Sequence, residues 1–97
     1  MVRLWGKWCG PGWTAGQNLN AADMKPADFK VKCNDKLDCA CKRHDIDVYR
    51  GGRSRASDNR LIKAAYLISI NPFVSPAQRQ AARFIATGMM FGRSDRR

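Results

Sequence analysis

The hydrophobic and polar residues of the chain follow a helical period only after its first third. Residues 1–34 are rich in Gly, Pro, Asn and Asp and show no sustained period, which is typical of loop. A helical period then begins, with residues at spacings of four, three and four: Leu37, Cys41, His44 and Val48. It predicts a first helix from about Asp35 to Arg50, with Asn34 as its N-cap and Gly51-Gly52 as its stop.

A second helix is predicted by apolar spacing and by a proline. It starts between Ser54 and Ser57 and ends at Asn71, because Pro72 restricts the residue before it. Its apolar stripe consists of four residues: Leu61, Ile62, Ala65 and Ile68. Asp58 lies one turn before this stripe, so its side chain points to the buried side, where a carboxylate needs a partner.

The sequence SPAQ gives the clearest helix start in the chain. Ser75 can cap the helix, Pro76 suits its first position, and Gln78 completes a capping box. This third helix is expected to run to about Thr87 and to end at Gly88. Two of its residues are expected to turn inward: Phe84 and Ile85.

Strand signals are weak throughout, so the fold class is mainly α, with about three helices after a long N-terminal loop. Ninety-seven residues allow one domain, expected over residues 1–92 and followed by a basic tail over 93–97. No apolar run approaches the roughly 20 residues of a membrane span. The segment LWGKWCGPGW lacks the uninterrupted apolar centre of a secretory signal.

The net charge of +10 is unevenly distributed. Residues 1–49 contain eight Lys or Arg and six Asp, for +2, whereas residues 50–97 contain ten and two, for +8. This asymmetry indicates an anionic partner, either nucleic acid or the head groups of an acidic membrane. The basic segment RGGRSRASDNR has no interleaved aromatic residues, so nucleic acid is not the expected primary partner.

The four cysteines all lie in the first half of the chain, and their even number suggests two disulfides with three possible connectivities. Such bridges favour an oxidising compartment. The alternative is a zinc module, because three cysteines and the histidine follow the pattern C-x5-C-x-C-x2-H: Cys33, Cys39, Cys41 and His44.

The only histidine of the chain, His44, has three features around it that indicate chemistry. Asp45 follows directly, and on a helix the two side chains diverge by about 100°, so they must hold different partners, such as a metal and a water. Asp58 can reach the far ring nitrogen from the next helix. The Gly-rich segment CGPG can turn backbone carbonyls inward, and hard cations such as calcium accept carbonyl and carboxylate oxygens together.

The motifs that contain these residues are similar to those of a known family. WCGPGW at residues 8–13, followed by DCACKRHD at residues 38–45, resembles the secreted phospholipase A2 superfamily, whose marks are C-G-x-G in a calcium loop and C-x-x-H-D in a helix. The resemblance covers roughly residues 8–66 and extends to the phospholipase of parvoviral capsids. It implies a compact, disulfide-linked phospholipase A2-like fold, a Ca²⁺ cofactor, and hydrolysis of the sn-2 ester of glycerophospholipids at a membrane surface.

The resemblance also implies roles for individual residues. His44 matches the general base that activates water, Asp58 matches the aspartate that orients it, and the Gly10 amide matches an oxyanion donor. The implied calcium ligands are one carboxylate and three main-chain carbonyls, those of Asp45, Trp8, Gly10 and Gly12.

Further matches concern support of the site. Asp38 matches a supporting aspartate near the helix start. The resemblance implies a disulfide between Cys9 and Cys41, which leaves Cys33 and Cys39 as the other pair. The family commonly has a tyrosine where this chain has Val48, and Tyr66 is the candidate substitute for its hydroxyl.

Membrane contact is expected through two groups of residues. One is an interfacial rim around the calcium loop, formed by Leu4, Trp5 and Trp13. The other is a set of arginines that would attract anionic lipid: Arg53, Arg55 and Arg60. The expected location is secreted, extracellular or virion-associated. The remaining alternative is a non-catalytic protein that binds membranes or nucleic acid.

Overall fold

The computed structural model describes residues 2–93 as three helices that follow an irregular N-terminal region. The elements, in chain order, are β1 (Trp13–Thr14), β2 (Gln17–Asn18), two 3₁₀ turns (Ala21–Asp23 and Pro26–Lys30), α1 (Lys36–Gly51), α2 (Arg55–Ser69) and α3 (Pro76–Arg93). The prediction of a mainly α fold with three helices is confirmed. Arg93 of the predicted basic tail belongs to α3, and residues 94–97 lie outside the described residues.

The strands β1 and β2 form a small antiparallel hairpin that the sequence pattern did not predict. Trp13 pairs with Asn18 and Thr14 with Gln17. The connecting residue Ala15 has a φ of 54°, as the tightest hairpin turns require. Strands of two residues are too short for an alternating pattern to be recognised.

Helix α1 begins one residue later than predicted. Asp35, not Asn34, is its N-cap, and the Asp35 carboxylate accepts a hydrogen bond of 2.9 Å from the Asp38 amide. The prediction of Asn34 was wrong because the Asn34 amide instead donates to the Asp38 carboxylate at 2.9 Å. The Gly-Gly stop is confirmed, since Gly51 ends the helix and Gly52 caps it with a φ of 74°.

Helix α2 starts where the sequence predicted and ends two residues early. Ser54 is its N-cap and accepts a hydrogen bond of 3.1 Å from the Ser57 amide. The helix ends at Ser69 rather than at Asn71. The Asn71 side chain accepts a hydrogen bond of 2.9 Å from the Phe73 amide, so this residue forms a turn instead of a last helical position.

Helix α3 has the predicted start, but Gln78 has a different role. The Ser75 hydroxyl accepts a hydrogen bond of 3.2 Å from the Gln78 amide, which confirms Ser75 as a cap. The Gln78 side chain accepts a hydrogen bond of 3.2 Å from the Leu37 amide and thereby joins the starts of α3 and α1.

The predicted end of α3 was wrong. The helix continues through Gly88 to Arg93, because Met89 packs against the core and favours another turn. Ile85 is buried as expected, whereas Phe84 is 65% exposed and lies outside the buried stripe that includes Ala82 and Ile85. Within residues 2–93, no helix has the length and apolar character needed to cross a membrane.

The core lies where the N-terminal region meets the three helices. Helix α2 packs against both α1 and α3. The buried hydrophobic residues are Trp8, Cys9, Ala15, Met24, Leu37, Cys41, Leu61, Ala65, Ile68, Ala82, Ile85 and Ala86. Both expected disulfides are present, Cys9–Cys41 and Cys33–Cys39. The first joins the Gly-rich loop to α1 at Cys41, three residues before His44.

Candidate active site

His44 and Asp58 form a hydrogen-bonded pair between two helices. His44 lies in the third turn of α1 and Asp58 in the first turn of α2. The distance from Asp58 Oδ1 to His44 Nε2 is 2.7 Å. Asp58 is 1% exposed, so water does not compete for this contact. Because the carboxylate accepts from Nε2–H, the lone pair of the neutral ring is on Nδ1. The pair therefore leaves the Nδ1 lone pair available, and the predicted contact between Asp58 and the histidine ring is confirmed.

Arg53 lies beside the same carboxylate. Its Nη2 is 3.8 Å from Asp58 Oδ2, and its side chain is about half exposed. A cation at this distance lies against the buried Asp58 carboxylate, at the oxygen that does not contact the histidine. Arg53 was predicted as a membrane contact, and the structure adds an ion pair between Arg53 and Asp58.

Asp45 lies on the other side of the histidine ring. Its Oδ1 is 4.0 Å from His44 Nδ1, whereas its Oδ2 is buried and has no hydrogen-bond partner within residues 2–93. Burial, and secondarily the nearby Asp38 carboxylate, raise the pKa of Asp45 to about 8. A buried carboxylate oxygen without a partner is costly unless a cation or a proton compensates it.

Asp38 holds the Gly-rich loop against α1. It is fully buried, and its carboxylate accepts main-chain hydrogen bonds of 2.8 to 3.2 Å from three residues: Lys7, Trp8 and Asn34. At Gly6, with a φ of 58°, an added Cβ would overlap the Asp38 carboxylate. Asp38 therefore fixes the loop by its backbone.

The loop leaves some of its main-chain groups without a hydrogen bond to the rest of residues 2–93. Among the hydrogen bonds of residues 2–93, the Trp8 carbonyl and the Gly10 amide take no part. The Gly10 carbonyl accepts from the Trp13 amide at 3.1 Å, and the Gly12 carbonyl accepts from Leu19 at 2.9 Å. Each carbonyl has two lone pairs, so both can accept a further partner.

The resemblance implies that oxygen atoms of this region hold a calcium ion. Calcium takes carboxylate and carbonyl oxygens in flexible geometry, and the donors expected here are the Asp45 carboxylate with three loop carbonyls. The partnerless, buried Oδ2 of Asp45 is the observation that fits a cation. The part of the chain that the structure describes has no group of three or more His, Cys, Asp or Glu side chains suited to a metal. A cation here would thus depend mainly on backbone oxygens.

Gly10 allows a direct test of the loop conformation. Its φ of 140° is rare for residues with a side chain, and an added Cβ would overlap the Val2 carbonyl oxygen. We expect Gly10→Ala to lower the free energy of unfolding by about 1–3 kcal/mol. Gly51→Ala is the control: it ends α1, has no atom within 4 Å of an added Cβ, and should be neutral or stabilising. Equal urea midpoints for Gly10→Ala and the wild type would contradict the loop conformation.

A cavity of about 420 Å³ lies between α1 and α2 and includes His44 in its wall. Its apolar lining comes from Ala40, Leu61, Ala64 and Leu67, and its basic lining from Lys36, Arg43, Arg60 and Lys63. The residues that α1 contributes to this wall were not predicted from the sequence. The available signal was the helical spacing of Lys36, Ala40 and Arg43, which places them on the same side as His44.

The residues predicted for membrane contact differ in their surroundings. Trp5 and Trp13 are partly buried, and their Nε1–H groups donate to the Asp35 carboxylate and to the Gly6 carbonyl. Leu4 packs partly against the core. Two of the three arginines form ion pairs, Arg53 with Asp58 and Arg60 with Asp47 (2.9 Å), while Arg55 is exposed.

Tyr66 lies away from the His44–Asp58 pair. It is 55% exposed and lines a groove between α2 and α3 together with Ile62 and Met90. It is also eight residues after Asp58 on the same helix, a rise of about 12 Å. The structure therefore does not bring Tyr66 together with the other predicted site residues.

The zinc alternative was wrong. All four cysteines form disulfides, so thiolate ligands for a metal are not available. Two disulfides fit a secreted or extracellular protein.

Comparison with known proteins adds no relative to this description. No family model, no curated protein and no solved structure matches the chain.

Proposed function

We propose that the protein is a compact phospholipase A2 that hydrolyses the sn-2 ester of glycerophospholipids with Ca²⁺ as cofactor. The observation that carries the proposal is the hydrogen bond of 2.7 Å between His44 and Asp58, beside the partnerless carboxylate oxygen of Asp45. A base oriented by a buried carboxylate, next to a place for a cation, suits the attack of water on an ester.

The residues of the chain account for the proton transfers. His44 Nδ1 takes a proton from water while the water oxygen attacks the ester carbonyl carbon. The Asp58 carboxylate accepts from Nε2–H and stabilises the imidazolium that forms. The Gly10 amide can donate to the carbonyl oxygen as it becomes negative. His44 then returns the proton to the glycerol oxygen as the ester bond breaks, so no covalent enzyme intermediate forms.

The cofactor would be held by the Asp45 carboxylate and the main-chain carbonyls of Trp8, Gly10 and Gly12. Calcium, when bound, polarises the ester carbonyl and stabilises the negative charge on its oxygen. Asp38 and the Cys9–Cys41 disulfide contribute indirectly, because they hold the loop against α1.

The decisive experiment uses phospholipid vesicles labelled in the sn-2 acyl chain. We expect labelled fatty acid to be released with Ca²⁺ and release to stop when a chelator is added. Vesicles labelled in the sn-1 chain are the matched control and should release none. Release from the sn-1 chain, or release that persists in chelator, would contradict the proposal.

A further inference from the structure

The C-terminal half of the chain exposes large hydrophobic residues on one side of α2. Tyr66, Leu67 and Ile70 are each more than 50% exposed, and their spacing places them within an arc of about 100°. Phe73, in the turn after α2, is 96% exposed. Met90 of α3 lines the same groove of about 790 Å³ as Tyr66 and Ile70. We call these five residues the α2–α3 patch.

The charged residues that line the α2–α3 groove are both positive. Residues 59–93 contain five Lys or Arg and no Asp or Glu. Lys63 lies within the same arc of α2, and both Lys63 and Arg83 line the groove. Exposed apolar side chains with cations between them match a bilayer surface, where hydrocarbon lies directly beneath anionic head groups.

We propose that the α2–α3 patch is the surface by which this protein docks on anionic lipid membranes. A second copy of the chain fits less well, because a two-fold contact would place Lys63 and Arg83 against the same cations. Nucleic acid would use the cations but would leave Leu67 and Ile70 without an apolar partner. Among the occupants compared, an anionic bilayer matches both properties of the patch.

The patch is continuous with the cavity that contains His44. Leu67 belongs to the patch and also lines that cavity, and Lys63 lines both the cavity and the α2–α3 groove. A membrane on the patch would therefore lie beside the cavity opening. This link to catalysis rests on the proposed function, whereas membrane docking itself does not.

The test measures binding to phosphatidylcholine vesicles with and without about 30% phosphatidylglycerol, by co-sedimentation in chelator. The wild type should bind the anionic vesicles and lose affinity as salt is raised. Leu67→Ser/Ile70→Ser should weaken binding about tenfold or more. Lys63→Gln/Arg83→Gln should weaken it roughly thirtyfold on the anionic vesicles.

Val2→Ser is the matched control, because Val2 is 52% exposed and Leu67 is 51% exposed. It should bind like the wild type. The proposal would be overturned by unchanged binding of both double variants or by an equal loss in Val2→Ser. It would also be overturned if the double variants altered only oligonucleotide binding or oligomeric state. A wild type that binds but hydrolyses nothing contradicts the proposed function and leaves the docking surface supported.

Discussion

His44→Gln is expected to reduce the hydrolysis of sn-2-labelled vesicles by roughly a thousandfold while leaving the fold intact. A positioned general base contributes about 10²–10⁴ in rate, and the chain has no second histidine to replace it. The Gln amide can still donate to Asp58, so the contact between α1 and α2 is retained. The rates should be compared at saturating calcium, with the melting temperature of each protein as the check on folding.

Asp58→Asn separates the orientation of the His44 ring by Asp58 from the proton transfer by His44. The neutral amide is a weaker acceptor for Nε2–H than the carboxylate. It also carries no charge to stabilise the imidazolium. We expect at least a tenfold loss, smaller than that of His44→Gln. For the first variant, an activity of His44→Gln equal to that of the wild type would contradict the role of His44 as the base, or show that the preparation contains another lipase.

The sequence predicted the dyad because both of its residues lie on well-defined helical faces. His44 shares a face with Leu37 and Cys41, and Asp58 precedes an apolar stripe, so their burial follows from period alone. Two helices joined by a short turn then have to pack side by side. The dyad distance of 2.7 Å needed the structure, since spacing gives direction but not separation.

Helix ends were harder to predict because tertiary contacts decide between similar local choices. Asn34 and Asp35 are both good N-caps. The Asp38 carboxylate decides between them, because it accepts a hydrogen bond from the Asn34 amide. Gly88 is a good stop signal, yet packing of Met89 on the core extends α3 beyond it. The free energy that local helix propensity contributes is small compared with the free energy of burying one large side chain.

The membrane-contact residues illustrate a second limit of sequence reasoning. Trp5 and Trp13 suggested an interfacial rim by composition, but both use their indole N–H groups within the protein. Leu67 and Ile70 are ordinary helical residues in sequence, and only the packing of α2 against its neighbours shows that they are exposed. Composition identifies amphipathic residues, whereas burial identifies which of them are available to a partner.

Asp45→Asn is expected to have opposite effects on stability and on calcium binding. In chelator, the wild type buries a carboxylate oxygen without a partner, and the neutral amide should stabilise the fold by about 1–3 kcal/mol. The pKa of Asp45 is raised from 3.8 to about 8, so the folded chain holds a proton that the unfolded chain releases. In chelator, the stability of the wild type should therefore fall as pH rises between these values, and the variant should lack this component.

Calcium should reverse the order of the two proteins. Binding to the folded state alone stabilises by about 4.1 kcal/mol at a concentration of 1,000 Kd, which exceeds the advantage of the variant, and Asp45 supplies the only charged ligand expected at the site. We therefore expect the unfolding free energy of the wild type to rise with calcium, measured by urea denaturation at constant ionic strength, while that of Asp45→Asn stays constant. Magnesium at the same concentration controls for nonspecific ionic effects. An equal response of both proteins to calcium would place the cation elsewhere. A variant less stable than the wild type in chelator would mean that Asp45 has a structural partner.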